Sequence, residues 1–174
     1  MRTQALAVVL TAAVLAGCSS GAELASDDHV HIDPLNPEHM APEQVATTAM
    51  GAILSWKPAK DVSPTDAFRR AQRWLGGELR DSALVTASAV RPDPRWTAWR
   101  ESGDVVSAAC VRSDSTPNAP AGMRTVVIDV TCTQNVLHAS GAITPLTPET
   151  WRVSVTSTGG GWLMTDYRFQ RQGK

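Results

Sequence analysis

The period of the hydrophobic residues changes partway along the chain, and this change limits the folds that the chain can adopt. From Pro42 onward, apolar residues recur every three or four positions, which predicts amphipathic helices. After Gly103 apolar residues alternate with polar ones, which predicts strands over 105–112, 124–136, 150–157 and 162–169. Helices followed by strands predict an α+β fold, with N-terminal helices packed on one face of a curved, about four-stranded antiparallel sheet.

Proline and glycine divide the helical part into separate helices, because proline suits a first helical turn and glycine often follows a last one. Three helices are predicted: one from Pro42 that Pro58 stops, one from Ser63-Pro64 that Gly76-Gly77 ends, and one from Asp93-Pro94 to Ser102-Gly103. Residues 78–90 fit a short helix or an edge strand.

The first residues carry the features of an export signal. Arg2 precedes an apolar run that is too short for a stable membrane span. The run ends in Leu15-Ala16-Gly17-Cys18, which resembles the lipobox of bacterial lipoproteins. The resemblance implies that residues 1–17 are removed and that Cys18 is acylated. It therefore implies a chain anchored on the extracytoplasmic side of the cell membrane, because several acyl chains hold a protein stably on a bilayer.

Residues 18–41 are predicted to form a flexible tether that leads to a single domain over 42–170. The segment has few large apolar residues, several acids and two prolines close to its end. Within it, residues 27–33 read DDHVHID and offer two imidazoles and three carboxylates. A metal site needs ligands that a scaffold holds in place, so a solvated linker is favoured over weak metal binding.

The size and charge of the mature chain exclude some partners. Removing the 17 residues of the predicted signal from 174 leaves 157, which is enough for one hydrophobic core. The signal holds Arg2 as its one charged residue, so the formal net charge of −1 becomes −2 in the mature chain. A basic excess of the kind that binds nucleic acid is absent, so no nucleic acid partner is predicted. No cofactor is predicted either.

Cys110 and Cys132 lie in predicted strands, and they would stand in a compartment where disulfides form. Both can point to the same face of the sheet. If Arg112 faces Arg124 across a symmetric hairpin, however, Cys110 faces Val126 and lies roughly 20 Å from Cys132. That is farther than a disulfide allows. An asymmetric loop would bring the sulfurs together, so a disulfide and two free core thiols both stay open.

The polar residues of the predicted domain give little support for a reaction. The predicted domain over 42–170 contains no Gly-x-Ser-x-Gly, His-Glu-x-x-His or phosphate-binding glycine loop. His138 is the one histidine of the predicted domain, and Asp129 lies on the strand face opposite the apolar residues, toward solvent. Asp166 and Tyr167 are neighbours in the last strand, so one of them faces inward. A packed Tyr167 is favoured over a catalytic one.

The chain has six tryptophans but one tyrosine and two phenylalanines. The tryptophans can line a ligand cavity, or they can pack between the helices and the sheet, which is the favoured alternative. If a cavity is present, its predicted lining is Trp56, Trp74, Trp151 and Tyr167.

Two short motifs and the order of elements resemble a known group of folds. Residues 95–99 read RWTAW and run into Gly103, and residues 159–169 read GGGWLMTDYRF as a closing hairpin. Together with the order of helices before the sheet, these motifs resemble the nuclear-transport-factor-like (cystatin-like) α+β cone. Among proteins of that fold, the chain resembles the periplasmic domain of the VirB-eight-type component of conjugation and type IV secretion. That component is anchored by a transmembrane helix, whereas this chain has a lipobox. The resemblance therefore implies a lipoprotein accessory to conjugative transfer, secretion or other envelope machinery.

Three functions follow from these observations. The first is a non-catalytic interaction or assembly module, with envelope or secretion proteins as partners and a homo-oligomer as a further option. The second is a binder of a small apolar ligand in a cavity between helix and sheet. The third is a cone-fold enzyme, which requires Asp166 or Tyr167 to meet an acid or a histidine inside the cavity. Because these catalytic motifs are missing from the predicted domain, the first is predicted, and an enzyme is not expected.

Overall fold

The computed structural model of the protein describes residues 33–85, 94–114, 116 and 122–171. The predicted signal, Cys18 and most of the predicted tether lie outside these described residues. In chain order the elements are α1 (Pro42–Ile53), α2 (Thr65–Arg70), α3 (Gly77–Leu84), α4 (Pro94–Ser102), β1 (Val105–Arg112), β2 (Thr125–Leu137), β3 (Ile143–Pro145), β4 (Glu149–Thr158) and β5 (Gly161–Gln170). The helices precede an antiparallel sheet, so the predicted α+β class is confirmed. None of these described helices is long and apolar enough to cross a bilayer.

Helix α1 covers the inner face of the sheet. Pro42 occupies its first turn, and the N–H of Ala41 donates to Oε1 of Gln44 at 2.8 Å, so the start of the helix is fixed locally. Its buried side chains recur at helical spacing and are Val45, Ala46, Ala49, Met50 and Ile53. The predicted helix from Pro42 is therefore confirmed.

The main sheet has the strand order β1-β2-β4-β5, and each neighbouring pair is antiparallel. The four predicted strands correspond to these four. A fifth strand, β3, pairs with the end of β2 beyond the point where β4 begins. It has three residues, too few to show an alternation of apolar and polar side chains, so the sequence pattern does not predict it.

The two faces of the sheet differ in chemistry, as the alternation predicts. The inner face presents Val126, Ile128 and Val130 of β2, and all three are buried. The outer face presents hydroxyl side chains that contact one another across strands, such as Thr156 and Thr165, whose oxygens are 3.2 Å apart. An antiparallel sheet of this kind keeps one face in solvent and the other in the core.

Large apolar side chains fill the interior between α1 and the sheet. Met50 of α1 and Leu75 lie fully buried against Ile128 of β2 and Met164 of β5. Each side chain of this size contributes about 1.5–3 kcal/mol by leaving water. The interior is therefore a packed core, and open space is found at its rim.

Residues 33–41 belong to the folded domain, so the prediction of a tether as far as residue 41 is wrong for this part. The indole of Trp74 donates to the carbonyl of Leu35 at 2.9 Å, and Arg73 pairs with Asp33 at 2.6 Å. Met40 is buried. These contacts join residues that are far apart in the sequence, so local composition does not reveal them.

The predicted second helix ends earlier than expected, at Arg70, and a short 3-10 turn follows at 72–74. The chain then extends along β5, where the N–H of Gly76 donates to the carbonyl of Met164 at 2.9 Å. A Cβ on Gly76 would lie 3.0 Å from the Cβ of Leu163. Glycine at this position therefore allows a close approach to the edge of the sheet rather than ending a helix.

The ambiguous segment 78–90 is helical as far as Leu84, within α3. Residues 86–93, including the predicted cap Asp93, lie outside the described residues. Helix α4 ends at Ser102, and Gly103 follows with a φ of +74°, which glycine adopts without steric cost. The predicted third helix is thus confirmed over its described length.

The register of β1 and β2 is that of an asymmetric connection, the alternative in which the two cysteines meet. Cys110 lies opposite Cys132, not opposite Val126, and the two sulfurs are bonded. The first residues of β2 extend past β1 and pair with β4 instead. The connection is asymmetric because Thr116 folds back, where its hydroxyl accepts from the N–H of Asp129 at 3.0 Å. That contact leaves no pattern in the sequence.

Candidate functional site: an aromatic groove at one end of the sheet

Aromatic side chains gather at the end of the sheet where β4 begins and β5 ends. The ring centroid of Trp151 lies 5.7 Å from that of Tyr167 and 5.4 Å from that of Phe169. Phe68 of α2 lies 6.3 Å from Tyr167. The indole Nε1 of Trp151 is buried and has no hydrogen-bond acceptor among the described residues. Trp151 therefore forms an aromatic wall that ring packing, rather than hydrogen bonding, holds in place.

Trp56 forms a second wall and is fixed by both its backbone and its side chain. Its N–H and carbonyl pair with the carbonyl and N–H of Val106 at 2.8 and 3.0 Å. Its indole Nε1 donates to the carbonyl of Ile53 at 3.0 Å. Its ring lies 5.9 Å from Trp96 and 6.3 Å from Trp99 of α4, measured between centroids. The helices and the sheet edge thus meet at one rigid indole.

An open groove lies between these two walls, hereafter the tryptophan groove. Its volume is about 470 Å³. Its lining combines indole rings with polar side chains and consists of Leu54, Trp56, Arg95, Trp99, Gln134, Leu146, Thr147, Glu149 and Trp151. The amide Nε2 of Gln134 donates to the carbonyl of Leu54 at 2.8 Å and so ties the end of α1 to β2. A groove of this composition suits a partner that has both apolar and polar groups.

A smaller hollow of about 270 Å³ lies on the other side of Trp56 and Trp151, next to α2. Phe68 and Tyr167 belong to its mainly apolar lining. Burial raises the pKa of Tyr167 above its ordinary value of 10.0, and the charge of Asp166 raises it further. The phenol therefore stays protonated at neutral pH and does not act as a base.

The four residues predicted to line one cavity are divided among three open hollows. A third hollow of about 370 Å³ runs along the edge of β1, and Trp56 and Trp74 both border it. Trp56 thus borders all three hollows, Trp151 borders two, and Tyr167 borders one. The predicted four-residue lining did not include Trp99 or Glu149, although Trp99 was among the six tryptophans considered. The Trp96-x-x-Trp99 spacing on α4 was the available signal for Trp99, because it places both rings toward Trp56.

His138 is held between a carboxylate and a hydroxyl. Its Nδ1 lies 2.9 Å from Oδ2 of Asp104, and its Nε2 lies 2.9 Å from the hydroxyl of Thr144. The sequence did not predict Asp104 as its partner, since the two are 34 positions apart. The order carboxylate, imidazole, hydroxyl is that of a hydrolytic triad. However, Thr144 pairs with Val136 in the β2–β3 ladder, and none of the three lines the hollows described above. The arrangement joins a turn to the sheet.

The acidic residues considered for catalysis lie on the outer face with arginine partners. Arg152 donates to both carboxylate oxygens of Asp129, at 2.9 and 3.1 Å, and Arg168 donates to Asp166 at 3.0 Å. Tyr167 is the inward-facing residue of the Asp166–Tyr167 pair. Within the described part of the chain, neither Asp166 nor Tyr167 forms a hydrogen bond with a histidine or a second acid.

The described residues include no group of three or more His, Cys, Asp or Glu side chains placed to bind a metal ion. Of the acidic segment 27–33, the structure describes Asp33, and its carboxylate contacts Arg73. The rest of that segment lies outside the described residues.

No protein-family model and no curated protein sequence matches this chain significantly. Two solved structures align with most of it. CagV, a VirB8 homolog of the type IV secretion system from Helicobacter pylori strain 26695, is 9% identical with a TM-score of 0.47, over 75% of this chain and 97% of CagV. The intermembrane space region of the chloroplast protein ARC6 is 13% identical with a TM-score of 0.39, over 76% of this chain and 99% of that region. At these values neither neighbour assigns a family, a partner or an activity to this chain.

Proposed function

We propose that this chain is an extracytoplasmic lipoprotein that acts as a non-catalytic interaction module in the assembly of an envelope complex, with the tryptophan groove as its recognition surface. The main support is the groove itself, which is an open hollow of about 470 Å³ between the rings of Trp56 and Trp151. Aromatic side chains at such surfaces contribute much of the binding energy of protein interfaces.

The proposed anchor is the acylated Cys18, and the lipobox over residues 15–18 supports it. With residues 33–41 packed on the domain, the tether is reduced to residues 19–32. If flexible, a segment of that length reaches roughly 20 Å root-mean-square. The bonded Cys110 and Cys132 agree with an oxidising compartment outside the cytoplasm.

The groove lies far from the β4–β5 turn, against which part of the segment 33–41 packs. The chain after residue 33 packs against Gly161 at the β4–β5 turn, where the backbone of Pro37 approaches closely. Glu149, in the groove, is at the opposite end of β4, roughly 30 Å away along the strand. A partner bound in the groove therefore need not touch the β4–β5 turn.

We also propose that the chain catalyses no reaction, and the contacts of the candidate catalytic residues support this. Asp166 pairs with Arg168 on the outer face, and burial keeps Tyr167 protonated. His138 holds Asp104 and Thr144 outside the hollows. These groups do not converge on a common reacting atom. We propose conjugative transfer or secretion as the setting, on the resemblance of residues 95–99 and 159–169 to the VirB-eight-type component.

A second candidate function is the binding of a small ligand in the tryptophan groove. Its volume falls within the 300–1,000 Å³ of typical ligand sites. The groove is open rather than enclosed, and the interior behind it is filled by Met50, Ile128 and other core residues. A ligand held there would remain partly exposed to solvent.

Site-specific photocrosslinking in native membranes tests both candidates. A photoreactive amino acid replaces Thr147 at the rim of the groove, and a matched variant carries it at the exposed Ser140 in the β2–β3 turn. A crosslinked envelope protein from position 147 but not from 140 supports the interaction module. Recovery of a stoichiometric small molecule, with no protein, supports the second candidate and contradicts the first.

The anchor is tested separately with Cys18→Ser in the full chain. We expect the wild type in the membrane fraction with its Cys18 peptide carrying acyl mass. We expect the variant to lose both properties. A wild-type chain whose Cys18 carries no acyl group would contradict the lipoprotein assignment without affecting the groove.

A further inference from the structure

The two charged residues that line the tryptophan groove differ in their contacts with the rest of the protein. Arg95 and Glu149 both line it. The guanidinium of Arg95 already lies over the ring of Trp99, 5.8 Å from its centroid. Glu149 is exposed at the first position of β4 and makes no ion pair with any residue that the structure describes. The groove therefore contains a carboxylate that forms no ion pair with a described residue, while its one arginine is held over Trp99.

The indole rings of the groove offer a second attraction for a cation. The face of a tryptophan ring is electron-rich and attracts a guanidinium or ammonium group within about 6 Å. Within the described residues, the two cations found over tryptophan rings are Arg73 over Trp74 and Arg95 over Trp99. The rings of Trp56 and Trp151, on either side of the groove, have no such neighbour in that part of the chain.

We infer that the tryptophan groove binds an arginine side chain presented by a partner protein, with the guanidinium between the indoles and Glu149. This inference rests on the proposed function and names the chemistry of its partner. Arginine fits better than lysine, because its planar guanidinium stacks on aromatic rings and also bonds a carboxylate with two N–H groups. The net charge of −2 in the mature chain adds a weak attraction for a basic segment.

The direct test uses a peptide in which arginines alternate with glycines, and a matched peptide with citrulline at each arginine. Citrulline keeps the shape of the side chain and removes its charge. The peptides are titrated into the isotope-labelled chain from Ser19 to Lys174, and the six indole N–H signals are followed by NMR. We expect the signals of Trp56, Trp99 and Trp151 to shift saturably, and the citrulline peptide to bind about threefold to tenfold more weakly.

Two variants locate the charge that is recognised. Glu149→Gln should abolish the preference for arginine over citrulline, whereas Glu78→Gln, an exposed acid on α3, should leave it unchanged. Trp151→Phe keeps an aromatic ring on one wall of the groove and should retain binding better than Trp151→Leu. Equal binding of the two peptides, or a preference that survives Glu149→Gln, would overturn the inference. The inference would also be overturned if phosphatidylcholine vesicles shifted the indole signals and the arginine peptide did not.

Photocrosslinking from Thr147 separates this inference from the proposed function. If wild type captures an envelope protein and Glu149→Gln captures much less, both stand. If both chains capture it equally, the interaction module stands and recognition of arginine fails. If neither chain captures a protein and the arginine peptide produces no indole shift, both fail.

Discussion

The imidazole Nδ1 of His138 lies 2.9 Å from Oδ2 of Asp104, and these residues are 34 positions apart in the sequence. The other oxygen of Asp104 accepts the N–H of Ala139 at 3.2 Å. The far side of the imidazole reaches the hydroxyl of Thr144 in β3. Through these bonds one buried carboxylate fastens the β2–β3 turn to the start of β1, at the same end of the sheet as the tryptophan groove.

The pH dependence of folding should reveal Asp104. Desolvation would raise the pKa of Asp104, but hydrogen bonds from Ser102, His138 and the Ala139 N–H, with the charge of His138, outweigh it and hold the pKa below the ordinary 3.8. Such a carboxylate stabilises the fold above its unfolded-state pKa and loses this contribution as the pH falls through its folded-state pKa. We expect the free energy of unfolding to fall between about pH 5 and pH 2 more steeply in the wild type than in Asp104→Asn.

Urea denaturation at several pH values measures this difference. The control is Asp81→Asn, at an exposed position of α3, which should follow the wild-type dependence with a small constant offset. Parallel curves for the wild type and Asp104→Asn would show that the Asp104–His138 contact does not contribute as described.

The bond between Cys110 and Cys132 should stabilise the domain by restricting the unfolded chain. The cysteines are 22 positions apart, and closing a loop of that size is worth about 3 kcal/mol in the loop-entropy description. We expect reduction to lower the free energy of unfolding of the chain from Ser19 by that amount, measured by urea denaturation with and without a phosphine reductant. Cys110→Ser combined with Cys132→Ser should match the reduced wild type and should not respond to the reductant. If the reductant also destabilised that variant, its effect on the wild type could not be assigned to the Cys110–Cys132 bond.

Local patterns in the sequence predicted much of the fold and little of its long-range pairing. Helix α1 and the four main strands were predicted because each buries one face, and burial of one face leaves a period in the sequence. The β1–β2 register stayed open in the sequence because it depends on the contact of Thr116 with Asp129, which has no period. The packing of Leu35 on Trp74 was missed for the same reason. Residues 33–41 have the composition of a linker but are held by partners from other elements.

The candidate site was predicted in part for a related reason. Trp56, Trp151 and Tyr167 were selected as aromatic residues of a predicted helix and strands, and they do border the hollows beside α1. Trp74 was selected on the same ground, and it borders the third hollow together with Trp56 but not the tryptophan groove. Glu149 was not predicted because only the fold places indole rings around its carboxylate. Among the residues near Glu149 in the sequence, Trp151 is the only one of these indoles.

A second buried carboxylate, Asp61, should matter more to stability than its arginine partner. Asp61 is 7% exposed, and its Oδ2 accepts the N–H of Lys57 at 2.7 Å and Nη2 of Arg70 at 3.0 Å. Asp61→Ala leaves both donors without their acceptor and should cost about 2 kcal/mol. Arg70→Ala leaves the bond from Lys57 intact and should cost less, about 1 kcal/mol.

Denaturation of both variants, with Arg69→Ala as a control, measures the order. Arg69 pairs with Asp66 at the surface, where its side chain is 46% exposed, so its removal should change the free energy of unfolding by less than about 0.5 kcal/mol. The argument fails if Arg70→Ala is as destabilising as Asp61→Ala, because the bond to Lys57 would then contribute nothing.

Two glycines of the β4–β5 turn region should differ greatly in their tolerance of a methyl group. Gly161 has a φ of +112°, and a Cβ there would lie 2.7 Å from Cα of Glu38, with the backbone of Pro37 equally close. A Cβ on Gly159 would meet nothing within 4 Å. Gly161→Ala should therefore destabilise the domain by about 2 kcal/mol or more, and Gly159→Ala should change stability by less than about 0.5 kcal/mol.

Gly161→Ala should also loosen residues 35–40, so exchange of the Trp74 indole N–H with solvent should accelerate in that variant alone. Equal stability and equal exchange in the two variants would mean that residues 33–41 do not pack on β5 in solution, and the longer tether over 18–41 would have to be restored.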